Sequence, residues 1–263
     1  MAEGNASVAA FGRTMRRDLW WVQPLLTAAG LGAFVVYATW AAFQGRDYHF
    51  GNYLSPFYSP ELFGPSPHAW FGPLPVALPA WLPFSPALLI LWAPGGFRLT
   101  CYYYRGAYYK AFWADPPSCT VGEPRSAYRG EAAFPLILQN VHRYFLYIAL
   151  PFLLILAHDV WKALWFTGPS GKEFGIGLGT IVLAANVVFL TCYTLGCHAM
   201  RHIVGGYMDQ LAGKPVRKAA YDCSSCLNRW HMKWAFISLF SVAFADIYIR
   251  LCAMGIWHDI RLI

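Results

Sequence analysis

Charge is scarce in this chain. Only 13% of its 263 residues are Asp, Glu, Lys or Arg, where a soluble domain carries about a quarter. That scarcity argues against a water-exposed fold. Other absences narrow the function. There is no glycine-rich nucleotide or flavin fingerprint, and no HExxH pattern of a metalloprotease. Neither an internal repeat nor a low-complexity tail is present. The opening "MAEGNASVAAFGRTMRRDLWW" shows no small-residue cleavage site, so it reads as the approach to a first anchor helix and not as a removable signal. What fills the chain instead is apolar: 57% hydrophobic and 18% aromatic residues, with 12 Trp, 16 Tyr and 19 Phe. Rings in that abundance suit the two membrane interfaces. The composition is that of an integral membrane protein.

A helix crossing a hydrocarbon core about 30 Å thick needs about 20 apolar residues. Five segments meet that length: Leu19–Phe43, Leu82–Tyr104, Tyr144–Phe166, Ile176–His198 and Trp234–Trp257. The expected fold is all-α, a bundle of five transmembrane helices forming a single domain over residues 1–263. Pro94 and the Gly95–Gly96 pair predict a kink in the second span. Orientation follows from the basic residues. With the N-terminus inside, fifteen Lys and Arg fall on the cytoplasmic side and five outside: Arg46, Lys162, Lys172, Arg250 and Arg261. The net charge of +7 is therefore a topology signal, and it suits docking of an acidic partner or anionic lipid. Because the basic residues flank helices and form no single stripe, nucleic acid is not an expected partner. The Pro- and aromatic-rich loop over residues 44–81, with seven prolines from Pro56 to Pro79, is expected to fold as irregular coil over the outer end.

Thiols and imidazoles recur at one depth of this topology. Cys101 lies near the inner end of the second span, and His142 opens the third. Cys197, His198 and His202 close the fourth in "TLGCHAMRH", and His231 opens the fifth. Four spans thus bring ligand-type residues to the cytoplasmic boundary, and ionisable groups in spans are functional candidates. His198 and His202, four apart, share one helix face. Cys197 and Arg201 share the neighbouring one, where Arg201 can stabilise a negative charge. The set points to a redox metal centre. Haem b would take two facing His, such as His142 with His198, His202 or His231; a second haem finds no partner for His158. A Rieske-type [2Fe–2S] centre would use two Cys and two His. Zinc fits the same donors, and would make the chain a membrane scaffold or transporter without electron transfer. Cys192 and Cys252 read as small apolar fillers. Cys223 and Cys226 in "YDCSSC" form one CxxC without a second half, a reserve pair alongside Cys119.

The stretches "GFRLTCYYYRGAYYKAFW", "FPLILQNVHRYFLYIAL" and "CYTLGCHAMRHIVGG" resemble the bacterial succinate dehydrogenase membrane subunit, the cytochrome-b-like single-chain anchor of complex II. The likeness runs from "RTMRRDLWWVQPLL" to the last span and is weakest over residues 44–81. It implies a multi-pass subunit of the bacterial plasma membrane. Its partners would be a flavoprotein that oxidises succinate and an iron–sulfur protein docked on the cytoplasmic face, with electrons passing to a membrane quinone. The branch it resembles carries a Rieske-type cluster in place of haem, which would draw four ligands from Cys101, Cys197, His142, His198, His202 and His231. Of these, His202 and His231 are the first to set aside as hydrogen-bonding or quinone groups. For the quinone, Tyr103, Tyr104 and Arg105 at the inner interface are candidates, with Asn140, Arg143, Arg201 and Trp230 beside them; an aromatic belt is the other reading of the tyrosines. His158 and Asp159 read as a local pair or a helix cap.

Overall fold

A computed structural model describes residues 18–75, 84–104, 111–112, 136–168, 171–206 and 210–263. Arg105 and Cys119 lie outside the described residues. Among the described residues, four helices are long and apolar enough to cross a membrane: α1 (Val22–Gln44), α3 (His142–Ala163), α4 (Leu178–Leu195) and α7 (His231–Ala253). They are apolar around their whole circumference, as lipid-facing helices are. Leu154 and Val36 stand 74% and 72% exposed, which only a lipid environment makes favourable. α7 is the central helix. Within the protein 56% of its apolar stretch is buried, against 17% for α1 and α3, and it packs most extensively on α4.

The segment expected as the second span is broken. A 3₁₀ turn at Pro86–Leu89 precedes a short α2 (Trp92–Leu99), which at 1.5 Å per residue covers only about 12 Å. The expected kink at Pro94 does not occur. Pro94 lies in the first turn of α2, where the missing N–H would have had no helical partner. The breaks fall on either side, at Ile90–Leu91 and at Thr100–Cys101. The segment still connects the two ends of the bundle. Its start packs on Gly45, the C-cap of α1, and Thr100 at its end contacts His142, the first residue of α3.

Helix four also ends earlier than expected. α4 stops at Leu195, Gly196 turns the chain, and Cys197 is the N-cap of a separate helix, α5 (His198–Gly205). A side chain on Gly196 would collide with Cys192 O at 2.7 Å, so this tight corner needs glycine. A further helix, α6 (Pro215–Asn228), covers the corner and carries the CxxC. Its Ser224 and Asn228 donate to the carbonyls of Leu195 and Gly196, both at 2.7 Å, satisfying acceptors that the end of α4 leaves open.

The outer loop is not plain coil. It opens with the hairpin β1 (His49–Phe50) and β2 (Tyr53–Leu54), and residues 53–61 are buried throughout. This stretch wedges into the outer half of the bundle and meets its buried acids. Ser55 donates to Asp246 and Ser59 to Asp159. Asp159 is thus an anchor for the loop, while His158 is exposed. Tyr37 donates to Asp246 as well, at 2.5 Å. Arg250 completes the network with Nε donating to Asp246 at 2.7 Å, and Nη1 and Nη2 donating to the carbonyls of Arg46 and Ala41. A second hairpin, β3 (Trp165–Gly168) with β4 (Gly171–Phe174), joins α3 to α4; the sequence pattern had placed its first residues in helix three.

The Asp246–Arg250 pair is almost fully buried, with side chains 0% and 5% exposed. Removing one partner strands the other charge, which costs about 3–5 kcal/mol. Asp246→Ala is expected to lower the thermal midpoint of the detergent-solubilised protein. Asp246→Leu combined with Arg250→Leu should recover part of that loss, as read by tryptophan fluorescence during heating.

Candidate metal centre

The inner ends of four chain segments converge. Cys101 follows the C-cap of α2, His142 is the first residue of α3, Cys197 is the N-cap of α5, and His231 is the first residue of α7. All four side chains are buried. Cys101 and Cys197 share one apolar cluster with Phe97, Leu146, Tyr193 and Leu239.

They pair off two by two. His142 Nε2 lies 3.0 Å from Cys197 Sγ, and His231 Nε2 lies 3.9 Å from Cys101 Sγ. Aromatic rings clamp both imidazoles. Phe97 stacks on His142 with centroids 4.5 Å apart, and Tyr193 stacks on His231 at 5.0 Å with Tyr103 edge-on from another side. The His142 tautomer follows from its neighbours. Thr100 spends its hydroxyl hydrogen on the carbonyl of Gly96 at 2.7 Å. Thr100 Oγ1 is therefore the acceptor for His142 Nδ1–H at 3.0 Å, which leaves the Nε2 lone pair facing sulfur. That is how a second partner prepares an imidazole for metal. His231 Nδ1 is buried with no hydrogen-bond partner. Burial, with Cys101 nearby, pushes the Cys197 thiol up to about 12, so without a metal it keeps its proton and shares it with His142.

Among the described residues, no three His, Cys, Asp or Glu side chains gather as they would around a single ion. His198 and His202 stand apart from the four. They face each other across 2.9 Å on the exposed side of α5, whose opposite face packs Ala199, Met200 and Ile203 against the core. Burial and the neighbouring His202 and Arg201 lower the His198 pKa. Cys223 and Cys226 are exposed on α6.

The residues expected to hold quinone are not gathered into one slot. Tyr103 packs against His231. Tyr104 is buried and donates to the carbonyl of Ala235 at 2.7 Å. Arg201 is tied to Tyr221 and Asn228, while Asn140, Arg143 and Trp230 are exposed. Two residues that spacing did not single out belong to this region. Tyr193 lies under His231, and Arg98 donates to Tyr104 Oη, to the carbonyl of Ala235 at 3.1 Å and to Ser238 Oγ at 3.0 Å. A lone Arg inside an apolar run was the available signal for the second.

Comparison with known proteins identifies the anchor. The signature described as actinobacterial succinate dehydrogenase subunit SdhC matches residues 22–255. The chain belongs to that family. It is a multi-pass membrane-anchor subunit of succinate dehydrogenase and so has partner subunits. A solved structure, "Mycobacterium smegmatis Sdh1 complex in the apo form", contains a chain with the same fold. The TM-score is 0.85 at 43% identity, covering 100% of this SdhC chain and 98% of that one. No individually curated protein matches.

Burial separates Cys101 and Cys197 from the exposed pair on α6. Ellman's reagent is expected to modify Cys223 and Cys226 at once in the metal-free, detergent-solubilised protein, and Cys101 and Cys197 only after denaturation. Peptide mapping of the modified sites checks the assignment.

Proposed function

We propose that this subunit is an electron conduit, carrying a [2Fe–2S] centre held by Cys101, Cys197, His142 and His231. The observation behind the reading is a buried set of two thiols and two imidazoles, with the His142 lone pair directed at sulfur by Thr100. Two thiols and two imidazoles are the donor set that a Rieske-type centre would take from the chain. Cys101, Cys197, His142 and His231 would hold the cluster as thiolates and neutral imidazoles, the two thiols giving up their protons. Haem b fits less well, since the two imidazoles each face a sulfur across the core.

The cluster supplies one-electron transfer between an iron–sulfur partner subunit and quinone; the chain supplies the rest. The clamping rings of Phe97 and Tyr193 and the surrounding apolar side chains keep water from the ligands. The exposed inner surface around α5 and α6 offers the docking face for that partner, itself reduced by a flavoprotein. Succinate gives up two electrons and two protons at the flavoprotein. The quinone accepts two electrons and takes two protons from water at the inner face. The bundle crosses the membrane five times with its N-terminus in the cytoplasm; the broken segment over residues 84–104 makes the return between α1 and α3. The fifteen-to-five distribution of basic residues supports that orientation.

The test is paramagnetic resonance on the purified, reduced complex together with its iron and acid-labile sulfide content. His142→Ala and His231→Ala are expected to abolish a Rieske-type signal, whereas His198→Ala and His202→Ala retain it. Thr100→Val should cost about 10–100-fold in cluster retention, as second partners of metal-bound imidazoles do. A b-type absorbance in the reduced complex, or zinc without iron, contradicts the proposal.

A further inference from the structure

Charge is divided unevenly inside the bundle. Among the described residues, the buried carboxylates are Glu61, Asp159 and Asp246. All three belong to the outer half, where Tyr48, Ser59 and Ser55 donate to them and Arg250 pairs with Asp246. The inner half carries Arg98, in the last turn of α2, and no buried acid. Arg98 donates to Tyr104 Oη, to the carbonyl of Ala235 at 3.1 Å and to Ser238 Oγ at 3.0 Å. Each of these acceptors is neutral, so the hydrogen bonds fix the guanidinium without cancelling its charge. A cation at membrane depth without a counter-charge is costly. That cost is offset where negative charge develops close by.

The candidate centre is the neighbour where that happens. The guanidinium carbon of Arg98 lies 4.7 Å from the centre of the Tyr193 ring, and His231 stacks on the same ring at 5.0 Å. Arg98 and His231 are therefore at most about 10 Å apart, a separation over which unit charges interact appreciably in a water-poor interior. The connections are short on both sides. Ala235, whose carbonyl accepts from Arg98, lies one turn beyond His231 on α7. Phe97, the residue before Arg98, stacks on His142. By contrast, Arg143 and Lys233 on the same inner side are exposed, where water and salt screen their charges.

We propose that Arg98 sets the redox potential of this centre, its uncancelled charge favouring the reduced state. The inference rests on the conduit reading and adds the residue that decides how readily the site takes an electron. With two thiolates and two neutral imidazoles as ligands, an oxidised [2Fe–2S] cluster carries no net charge. One electron from the iron–sulfur partner subunit makes it negative, and no bond forms or breaks. The guanidinium stays protonated in both states, so its attraction acts on the reduced state alone and raises the potential. A neutral side chain at residue 98 would leave the added electron with no such compensation.

The test is a redox titration of the Rieske-type paramagnetic signal in the purified complex, a reading that does not depend on turnover. Arg98→Gln is expected to lower the equilibrium for reduction at least tenfold, a fall of about 59 mV in the midpoint potential of a one-electron couple. Arg98→Lys keeps the charge and should hold the potential near the wild-type value. Ser238→Ala removes one acceptor of Arg98 and keeps its charge, so the potential should not move. Ser238→Asp places a carboxylate beside the guanidinium and should lower the potential with the arginine still present. That variant decides the question if Arg98→Gln does not assemble. Equal falls in Arg98→Gln and Arg98→Lys overturn the proposal and make Arg98 a brace between Tyr104 and α7. Unchanged potentials in Arg98→Gln and Ser238→Asp overturn it too. A wild-type complex with no Rieske-type signal removes the conduit reading and this proposal together, whereas a signal with unmoved potentials removes the proposal alone.

Discussion

Four helix ends close on one dry core, and the rest of the inner half depends on that closure. Cys101, His142, Cys197 and His231 all stand at those ends. The corners that put them there are tight: Thr100 turning off α2, Gly196 between α4 and α5, and Trp230 ahead of α7. Thr100 has a double part, ending one helix and orienting the imidazole that begins another.

The outer half obeys a related constraint. In lipid, a polar group must find its partner inside the protein. The loop after α1 turns its serines and tyrosines towards buried carboxylates, so Asp246, Asp159 and Glu61 are each held by loop hydroxyls. The wedge fixes α7 against α1 at one end, while the Cys and His pairs gather the segments at the other.

The long apolar spans were legible because lipid imposes one length and one composition. Helices α1, α3, α4 and α7 lie within a few residues of where hydropathy places them. The second segment was misjudged because Pro94 falls in the first turn of a short helix, a position that carries no cost, and hydropathy does not distinguish a broken helix from a whole one. The wedge at residues 53–61 was hidden because its burial follows tertiary partners and not any period in sequence. The inner thiols and imidazoles were visible as a group, but spacing alone could not divide them. His198 and His202 do share a face, as four-residue spacing requires, yet that face of α5 points outward.

The most direct measurement is anomalous X-ray diffraction from crystals of the purified complex, recorded on both sides of the iron absorption edge. The account predicts iron density enclosed by Cys101, Cys197, His142 and His231, within bonding reach of all four. Iron density elsewhere in this subunit, no iron in it, or an anomalous signal at the zinc edge alone would contradict it.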